Sequence, residues 1–377
     1  MNTKQTEPLS ESERRIFETV WKLGPISRND VAARTGLTAM TVSRLSKALE
    51  QRALVKDAII RTGQRGNPTR PLSINPLGGC SVGLNFTRST VEVGVIDLGG
   101  NFLQHSHRKI SSASTQVLID CVRETIDALA EAKSGHVERI FGVGVALPGD
   151  FEEKGRVLAA HPLFADLRHR DLADEFEKRL GLPFFMNSDS NSATVGERLL
   201  GAGRNFETYI YVYLGYGVGG GLVIRGEPFF GMNNNAGIIG VHFPDNKPRP
   251  SGLDLMNTLH EAGHGVEDFQ DLEKIDLAAD PACRDWIKRA GGQLRTTLRF
   301  PARLIDPEAI IIGGRLPNEV HHMLAVEIDR PDFCTETELE QKMPRPRVLG
   351  SMLGARAGVI GAAALPIYAA LFNDDAA

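Results

Sequence analysis

The first 51 residues hold a helical hydrophobic period that a glycine interrupts, and this arrangement restricts the fold more than any other feature of the chain. Val42, Leu45 and Leu49 recur at the spacing of one helix face, which predicts a helix over residues 38–51 with Thr38 as its N-cap. A shorter helical segment ends at Gly36, just ahead of it. Two helices joined by so tight a turn are typical of a helix-turn-helix unit.

The two preceding helices are predicted from capping and spacing. Ser27 and Asp30 have the spacing of a capping box, which indicates the start of the second helix. An earlier helix is predicted over residues 11–23. The residues expected to be buried on it are Ile16, Val20 and Leu23. Three helices and the hairpin that follows them would make a small core.

A basic hairpin is predicted after the third helix. Residues 58–61 and 71–75 have the composition of short strands. The turn between them contains Gly63, Arg65, Gly66 and Pro68. A glycine-rich turn with a guanidinium at its tip is typical of the wing of a winged helix, so we expect Arg65 to enter the minor groove.

Charge is divided unevenly along the chain. Residues 1–75 contain 13 lysines and arginines against 7 acidic residues, whereas the rest of the chain contains 30 against 40. Positive charge is thus concentrated where contact with phosphate is expected. The side chains predicted to contact double-stranded DNA are Met40, Thr41, Ser43, Arg44, Lys47 and Arg65. The alternative is that the helix pair is only a solvated surface; cap, glycine turn and basic hairpin together favour DNA binding.

Composition limits the classes of protein to which the chain can belong. The 377 residues, 42% hydrophobic and 24% charged, are typical of a globular protein of two or three domains. The 4 cysteines form no CxxC pair, which argues against a disulfide framework or a cysteine zinc site and fits a reducing cytoplasm. We expect no signal peptide and no membrane span, and interpret the apolar residues 357–371 as a packed helix.

From residue 80 onward the pattern is that of an α/β protein. Apolar runs rich in β-branched residues alternate with helical periods, and the alternation restarts near residue 209. Strands are predicted at 81–86, 90–96, 140–147, 184–187, 209–214, 222–224 and 309–312, and helices at 117–132 and 172–180. This pattern predicts two α/β lobes with a cleft between them.

Two glycine runs follow predicted strands. Gly217, Gly219 and Gly220 lie within residues 215–221, and Gly313 and Gly314 follow the last strand. Bare backbone N–H groups at such positions can approach the phosphate oxygens of a nucleotide. A tight hairpin that needs positive φ explains the first run equally well.

The order of these motifs resembles the ROK family, named for repressors, open reading frames and sugar kinases. The resemblance rests on the GxRGxP wing and on GVGVALPG at 142–149, NSDSNSA at 187–193, GYGVGGG at 215–221, PEAIIIGG at 307–314 and AGVIGAAA at 357–364. It covers nearly the whole chain. It implies a winged helix-turn-helix domain, residues 1–75, and a body of the two-lobed actin-like, hexokinase-like ATPase fold. The first lobe would comprise residues 80–190 with the C-terminal helix 355–373, and the second lobe residues 191–354.

The resemblance implies two functions. Family members with the winged helix are mostly repressors of sugar-utilisation genes that a sugar or sugar derivative releases from operators, and members without it are sugar kinases. The kinases carry an acidic residue and a GGT-type turn on the first strand, where this chain has Asn85, Phe86 and Arg88, and Tyr216 replaces a small hydroxyl residue in the second loop. Because phosphoryl transfer depends on neutralising phosphate charge, ATP use is not expected, and the glycine runs are interpreted as a vestigial nucleotide loop.

The implied sugar pocket is altered as well. The family's Asn-Asp pair falls on Ser188 and Asp189, so the general-base position remains as a vestigial base. In the family's GExGH turn, Ile238 and Val241 replace the acid and the histidine, and His242 lies one residue later, where only a bulge would bring it into place.

The family's zinc loop is missing, so no metal site is expected. Residues 244–251 stand in its place, and Asp254 matches an acid that contacts sugar in the family. The effector-binding residues implied are Ser188, Asp189, His242 and Asp254. Each has an alternative: Asp189 and Asp254 could cap helices, His242 could be a satisfied strand histidine, and the asparagines at 233–235 are first of all turn residues.

Three functional hypotheses follow. The favoured one is a repressor without enzyme activity or cofactor, a homodimer or homotetramer that binds an operator and takes a sugar effector between its lobes. The second is an ATP-dependent sugar kinase that also binds DNA. The third keeps DNA binding but has no sugar effector, the pocket being vestigial or used by a protein partner.

Overall fold

A computed structural model describes residues 8–58, 70–87, 89–132, 139–152, 157–160, 162–167, 170–244 and 246–373. Its helices are α1 (Glu11–Leu23), α2 (Arg28–Thr35), α3 (Ala39–Gln51), α4 (Thr115–Glu131), α5 (Leu172–Leu180), α6 (Asp189–Leu200), α7 (Gly252–Glu261), α8 (Pro281–Ile305), α9 (Asn318–Ile328) and α10 (Ala357–Leu371). Its strands are β1 (Val55–Asp57), β2 (Leu72–Ile74), β3 (Cys80–Phe86), β4 (Thr90–Asp97), β5 (Phe102–Lys109), β6 (Ile140–Leu147), β7 (Gly149–Glu152), β8 (Val157–Ala160), β9 (Phe184–Ser188), β10 (Tyr209–Leu214), β11 (Val218–Ile224), β12 (Glu227–Phe229), β13 (Ala309–Gly314) and β14 (Arg347–Gly350). The fold is α/β, with helix-turn-helix elements at the N-terminus.

Each of the three N-terminal helices begins at a side-chain cap. Ser10, Ser27 and Thr38 each accept a hydrogen bond from the backbone N–H three residues ahead. Gly36 ends α2 in the left-handed conformation, with φ of 68°. The predicted helices at 11–23 and 38–51 are confirmed, and Val42, Leu45 and Leu49 are buried.

One detail of the N-terminal prediction is wrong. Leu23 is 41% exposed because it is the last residue of α1, and Phe17 and Trp21 fill the core instead. The structure has strand β1, which pairs with β2 from Val55 opposite Ile74; of the strand predicted at 58–61, residues 59–61 lie outside the described residues. The predicted wing turn, with Gly63, Arg65, Gly66 and Pro68, lies outside the described residues.

The body is built on two mixed five-stranded sheets. The strand order is β5-β4-β3-β6-β9 in the first sheet and β12-β11-β10-β13-β14 in the second. In each sheet an antiparallel meander is continued by parallel strands, β3 with β6 and β9, and β10 with β13 and β14. All the predicted body strands are present, with some ends shifted by a few residues.

The sequence prediction missed several elements. Strand β5 is an edge strand whose residues are mostly half-buried or exposed, so it lacks the apolar run that predicts a strand. Helices α8 and α9 were also not predicted.

The N-terminal helices do not have a core of their own. Ile16, Phe17 and Val42 belong to one continuous hydrophobic cluster with Leu199 of α6 and Leu365 of α10. The small core predicted for these helices and the hairpin is therefore part of a larger one, because apolar side chains of α1 pack directly on two helices of the body. The predicted division at residues 75, 80, 190 and 354 stays a prediction.

Helix α10 explains the apolar C-terminal stretch. Residues Gly354–Leu371 are long and apolar enough to cross a membrane, but 78% of that stretch is buried inside the structure. The helix packs against α6 and against β3 and β6 of the first sheet. It is therefore a packed core helix, as predicted.

Candidate DNA interface and effector cleft

The outer face of α3 presents the predicted DNA-contacting side chains to solvent. Met40 is 83% exposed, and Ser43, Arg44 and Lys47 are exposed as well. Thr41 is half-buried and its hydroxyl lies 2.9 Å from that of the cap residue, Thr38. The structure thus brings five of the six predicted DNA contacts onto one helix, and Arg65 lies outside the described residues.

Arg28 fixes the base of the hairpin against the helices. Its guanidinium donates to Oε1 of Glu50 at 2.5 Å, to Oδ1 of Asp57 at 2.9 Å and to the carbonyl of Arg70 at 2.9 Å. These partners lie on α3, on β1 and just ahead of β2. Arg28 was not predicted as a functional or structural residue, since nothing in its spacing relates it to acids 22 and 29 residues away in the chain.

The cleft end of α6 carries Ser188 and Asp189 side by side. The Ser188 hydroxyl caps the helix by accepting from the backbone N–H of Asn191 at 3.2 Å, and it lies 3.2 Å from the Ser190 hydroxyl. Asp189 is the first residue of the helix, and its Oδ1 accepts from the N–H of Ser190 at 2.8 Å. The interpretation of Asp189 as the cap is wrong, because Ser188 fills that position.

The Asp189 carboxylate lies in an unfavourable environment. Burial raises the pKa of Asp189 to about 6, the guanidinium of Arg315 opposes part of that rise, and the charge of Asp150 adds to it. Burial also raises the pKa of Asp150. Carboxylates whose pKa is raised by burial and by a neighbouring acid are typical of functional sites.

Arg315 joins the two sheets. It follows β13 directly and donates to Oδ1 of Asn85 at 2.8 Å and to the carbonyl of Phe86 at 3.0 Å, both at the end of β3. Asn85 is the position at which the kinases of the resembled family carry an acid, so a protein cation occupies the space beside it. Arg315 was not predicted as a site residue. Its position directly after a buried strand and two glycines is the sequence feature that could have indicated it.

The glycines of the first run lie in strand β11 and in the turn that precedes it. Gly219 and Gly220 belong to β11, whereas Gly217 lies in the turn from β10, and none of the three has positive φ. A Cβ at Gly219 would lie 2.9 Å from Ser190 Cβ, and one at Gly221 would lie 2.1 Å from the Thr194 hydroxyl. Strands β10 and β11 do form a tight hairpin, but these glycines do not need positive φ. Glycine at 219 and 221 lets α6 lie close against the sheet.

The second run behaves differently. Gly313 lies against Tyr211 and Ser351, since a Cβ added at this position would lie 2.3 Å from the Tyr211 hydroxyl oxygen. Gly314 has φ of 119°, which favours glycine. A nucleotide role for Gly217, Gly219, Gly220, Gly313 and Gly314 stays a prediction.

Asparagines at 234 and 235 make further contacts near this end of α6. Oδ1 of Asn235 accepts from the backbone N–H of Phe151 at 2.9 Å, and its Nδ2 donates to the Phe151 carbonyl at 2.8 Å. Asn191 donates to the carbonyl of Asn234, a turn residue with φ of 58°. The asparagine turn is thus confirmed, and it also contacts β7 through Asn235 and α6 through Asn234.

His242 and Asp254 are directed to α8. His242 is exposed in the short 3-10 helix Ile239–His242 and lines an apolar cavity of about 230 Å³ with Phe300 and Leu304, so it is not a strand histidine. Oδ2 of Asp254 accepts from Trp286 at 2.7 Å and from Arg289 at 2.5 Å, and Ser251 caps α7 in its place. Ser188 and Asp189 are brought together; an effector role for His242 or Asp254 stays a prediction.

The sequence profile of the ROK family matches residues 81–368, which is most of the chain. The chain belongs to the ROK family. Among ROK relatives, it is 25% identical over 375 residues to the xylose repressor of Bacillus subtilis, a match that covers 94% of each chain. It is 26% identical over 324 residues to the glucokinase of Streptomyces coelicolor, covering 76% of this chain and 97% of the glucokinase.

The fold is shared with a solved ROK regulator. A crystal structure of a ROK family transcriptional regulator, described as a homologue of the Escherichia coli MLC protein, superposes with a TM-score of 0.68 at 21% identity. The superposition covers 98% of this chain and 96% of that one. The shared fold thus extends over both the N-terminal helices and the α/β body.

Proposed function

We propose that this ROK protein is a transcriptional regulator that binds an operator in double-stranded DNA and represses sugar-utilisation genes. The observation that carries the proposal is the face of α3, where Met40, Ser43, Arg44 and Lys47 are exposed together. Base edges in the major groove are read by side chains from one exposed helix face. The likeness to a xylose repressor along both whole chains supports the same function.

The regulator is proposed to act as a homodimer or homotetramer in the cytoplasm. A twofold axis would place two copies of α3 in successive major grooves, about 34 Å apart. Residues 1–75 would serve as the DNA-binding domain, with Arg65 in the minor groove. Residues 80–190 with 355–373, and residues 191–354, would serve as the lobes that enclose the effector.

The effector is proposed to be an uncharged sugar at Ser188 and Asp189. Among the described residues, the charged side chains that act on Asp189 are one guanidinium, that of Arg315, and one carboxylate, that of Asp150, a balance that favours an uncharged ligand over a phosphate. Hydroxyl and carboxylate oxygens are suitable partners for a polyol. D-xylose is the first ligand to test because of the xylose repressor among the relatives.

DNase footprinting of the DNA upstream of the protein's own gene tests the proposal. A protected palindrome is expected at moderate salt, and addition of D-xylose, D-glucose or N-acetyl-D-glucosamine is expected to change operator affinity at least about fivefold. Absence of any protected site would reject DNA regulation. Protection that no sugar alters would favour a regulator whose pocket is vestigial or serves a protein partner.

A sugar kinase is the second candidate. A carboxylate with a pKa of about 6 suits a general base near neutral pH. The similarity to a glucokinase also supports this candidate. The contact between Arg315 and Asn85 argues against it, because it occupies the space beside the lost metal-facing acid. ADP release with ATP, Mg²⁺ and the same three sugars decides: turnover that Asp189→Asn abolishes would establish the kinase, and no sugar-dependent release would reject it.

A further inference from the structure

Helix α6 runs without interruption from the cleft to the N-terminal helices. Its first residue is Asp189, and at its other end the carbonyl of Leu199 accepts a hydrogen bond from Nε1 of Trp21 at 2.8 Å. The 12 residues of the helix span about 18 Å. One rigid element therefore touches both the proposed effector site and α1.

Trp21 is held on several sides at this junction. Arg204 donates to its carbonyl at 2.5 Å. Its ring lies edge-on to Phe372 at 5.2 Å and tilted to Phe17 at 5.7 Å, and it is only 5% exposed. Because aromatic rings in such geometry add specific attraction to the burial of their area, α1 is positioned on the body through this side chain.

The body around α6 leaves it little freedom to bend. Helices α6 and α10 meet backbone to backbone, since a Cβ at Gly196 would lie 2.9 Å from Cα of Gly361. Within α6, the buried carboxylate of Glu197 accepts from the hydroxyl of Ser351 and from the N–H of Ala202 at 2.7 Å. A closely packed helix of this kind moves as a unit, so a shift at one end appears at the other.

We propose that α6 transmits the state of the cleft to the recognition helix and that Trp21 is the positioning residue at which the transmission reaches α1. The inference rests on the proposed function as a regulator. It predicts energetic coupling between two positions that do not touch, Asp189 and Trp21, which a purely structural role of Trp21 would not produce.

A double-mutant cycle on the full chain measures this coupling. Operator affinity is determined by fluorescence anisotropy for the wild type, Asp189→Asn, Trp21→Phe and the double variant. Trp21→Phe removes the N–H donor and keeps an aromatic ring. We expect Asp189→Asn to change the operator Kd at least about fivefold with Trp21 present and less than about twofold with Phe there.

Equal effects of Asp189→Asn in both backgrounds, or no effect in either, would overturn the proposal and leave DNA regulation standing. Thr19→Ala is the matched control, because it removes a side-chain hydrogen bond that stays within α1, from the Thr19 hydroxyl to the Arg15 carbonyl at 2.7 Å; it should keep the full effect. Arg204→Gln is the second test variant, should Trp21→Phe fold poorly, and is expected to lose the effect in the same way.

Hydrogen exchange in the α1 peptide gives a readout that needs no DNA. We expect Asp189→Asn to alter exchange of residues 11–23 when Trp21 is present and not when Phe replaces it. If the protein fails to bind any DNA, this readout still decides whether α6 couples the two ends, so failure of the proposed function and failure of the coupling are distinguished.

Discussion

Replacing Asp189 with asparagine is expected to stabilise the protein at neutral and alkaline pH. Burial raises the pKa of this carboxyl from 3.8 to about 6, so the folded state favours the protonated form, which asparagine imitates. A difference of about two pKa units corresponds to about 3 kcal/mol above pH 6.5, and to about half of that at pH 5. The wild type therefore loses this stability as pH rises through the window from about 4 to 6, and Asp189→Asn does not.

Urea unfolding at pH 5 and pH 8 checks this. The free energy of unfolding of Asp189→Asn should exceed that of the wild type at both values, with the larger gain at pH 8. Asp174→Asn is the control, because Asp174 lies exposed in the first turn of α5 and pairs with Lys178; it should be neutral or slightly destabilising. If Asp189→Asn is less stable than the wild type at pH 8, then Arg315 and the backbone N–H groups stabilise the ionised carboxylate by more than its burial destabilises it, and the reasoning is refuted.

Three further outcomes are expected. Arg44→Ala should weaken operator binding by about 1–3 kcal/mol and relax preference at one base pair, measured by competition with operator variants; an equal loss on all sequences would assign Arg44 to phosphate instead. Arg28→Met should lower the free energy of unfolding by about 1–3 kcal/mol, because it leaves two carboxylates and a carbonyl without their donor; unchanged thermal stability would contradict this. Gly221→Ala should destabilise by about 1–3 kcal/mol, because its Cβ would meet the Thr194 hydroxyl, whereas Gly292→Ala, with open space inside α8, should stabilise by about 0.5–1 kcal/mol in the same assay.

The N-terminal helices were predictable because their signals are local. The caps at Ser27 and Thr38, the glycine at 36 and the apolar spacing of α3 are all read within one or two turns of chain, and each is found in the structure. The glycine runs show the limit of such signals. Gly219 and Gly221 are glycine because Ser190 and Thr194 of α6 lie against them, and a local pattern does not reveal which helix will pack on a strand.

The effector cleft was predictable only in part. Asp189 was identified through the resemblance to the ROK family, but its raised pKa depends on burial and on Arg315, which lies 126 positions away in the chain. Arg28 and Trp21 were missed for the same reason. Their partners lie on elements that only the folded chain brings near: Glu50 and Asp57 for Arg28, and the Leu199 carbonyl for Trp21.

The sequence by itself determined the order of the helix-turn-helix and of most strands of the two α/β repeats, since periodicity and caps are properties of neighbouring residues. Only the tertiary structure decided how these parts are joined. It placed Arg315 on Asn85, and it merged the core of α1 with those of α6 and α10 through Trp21. Long-range packing sets such contacts, because a side chain's partners depend on the path of the whole chain and not on its own position along it.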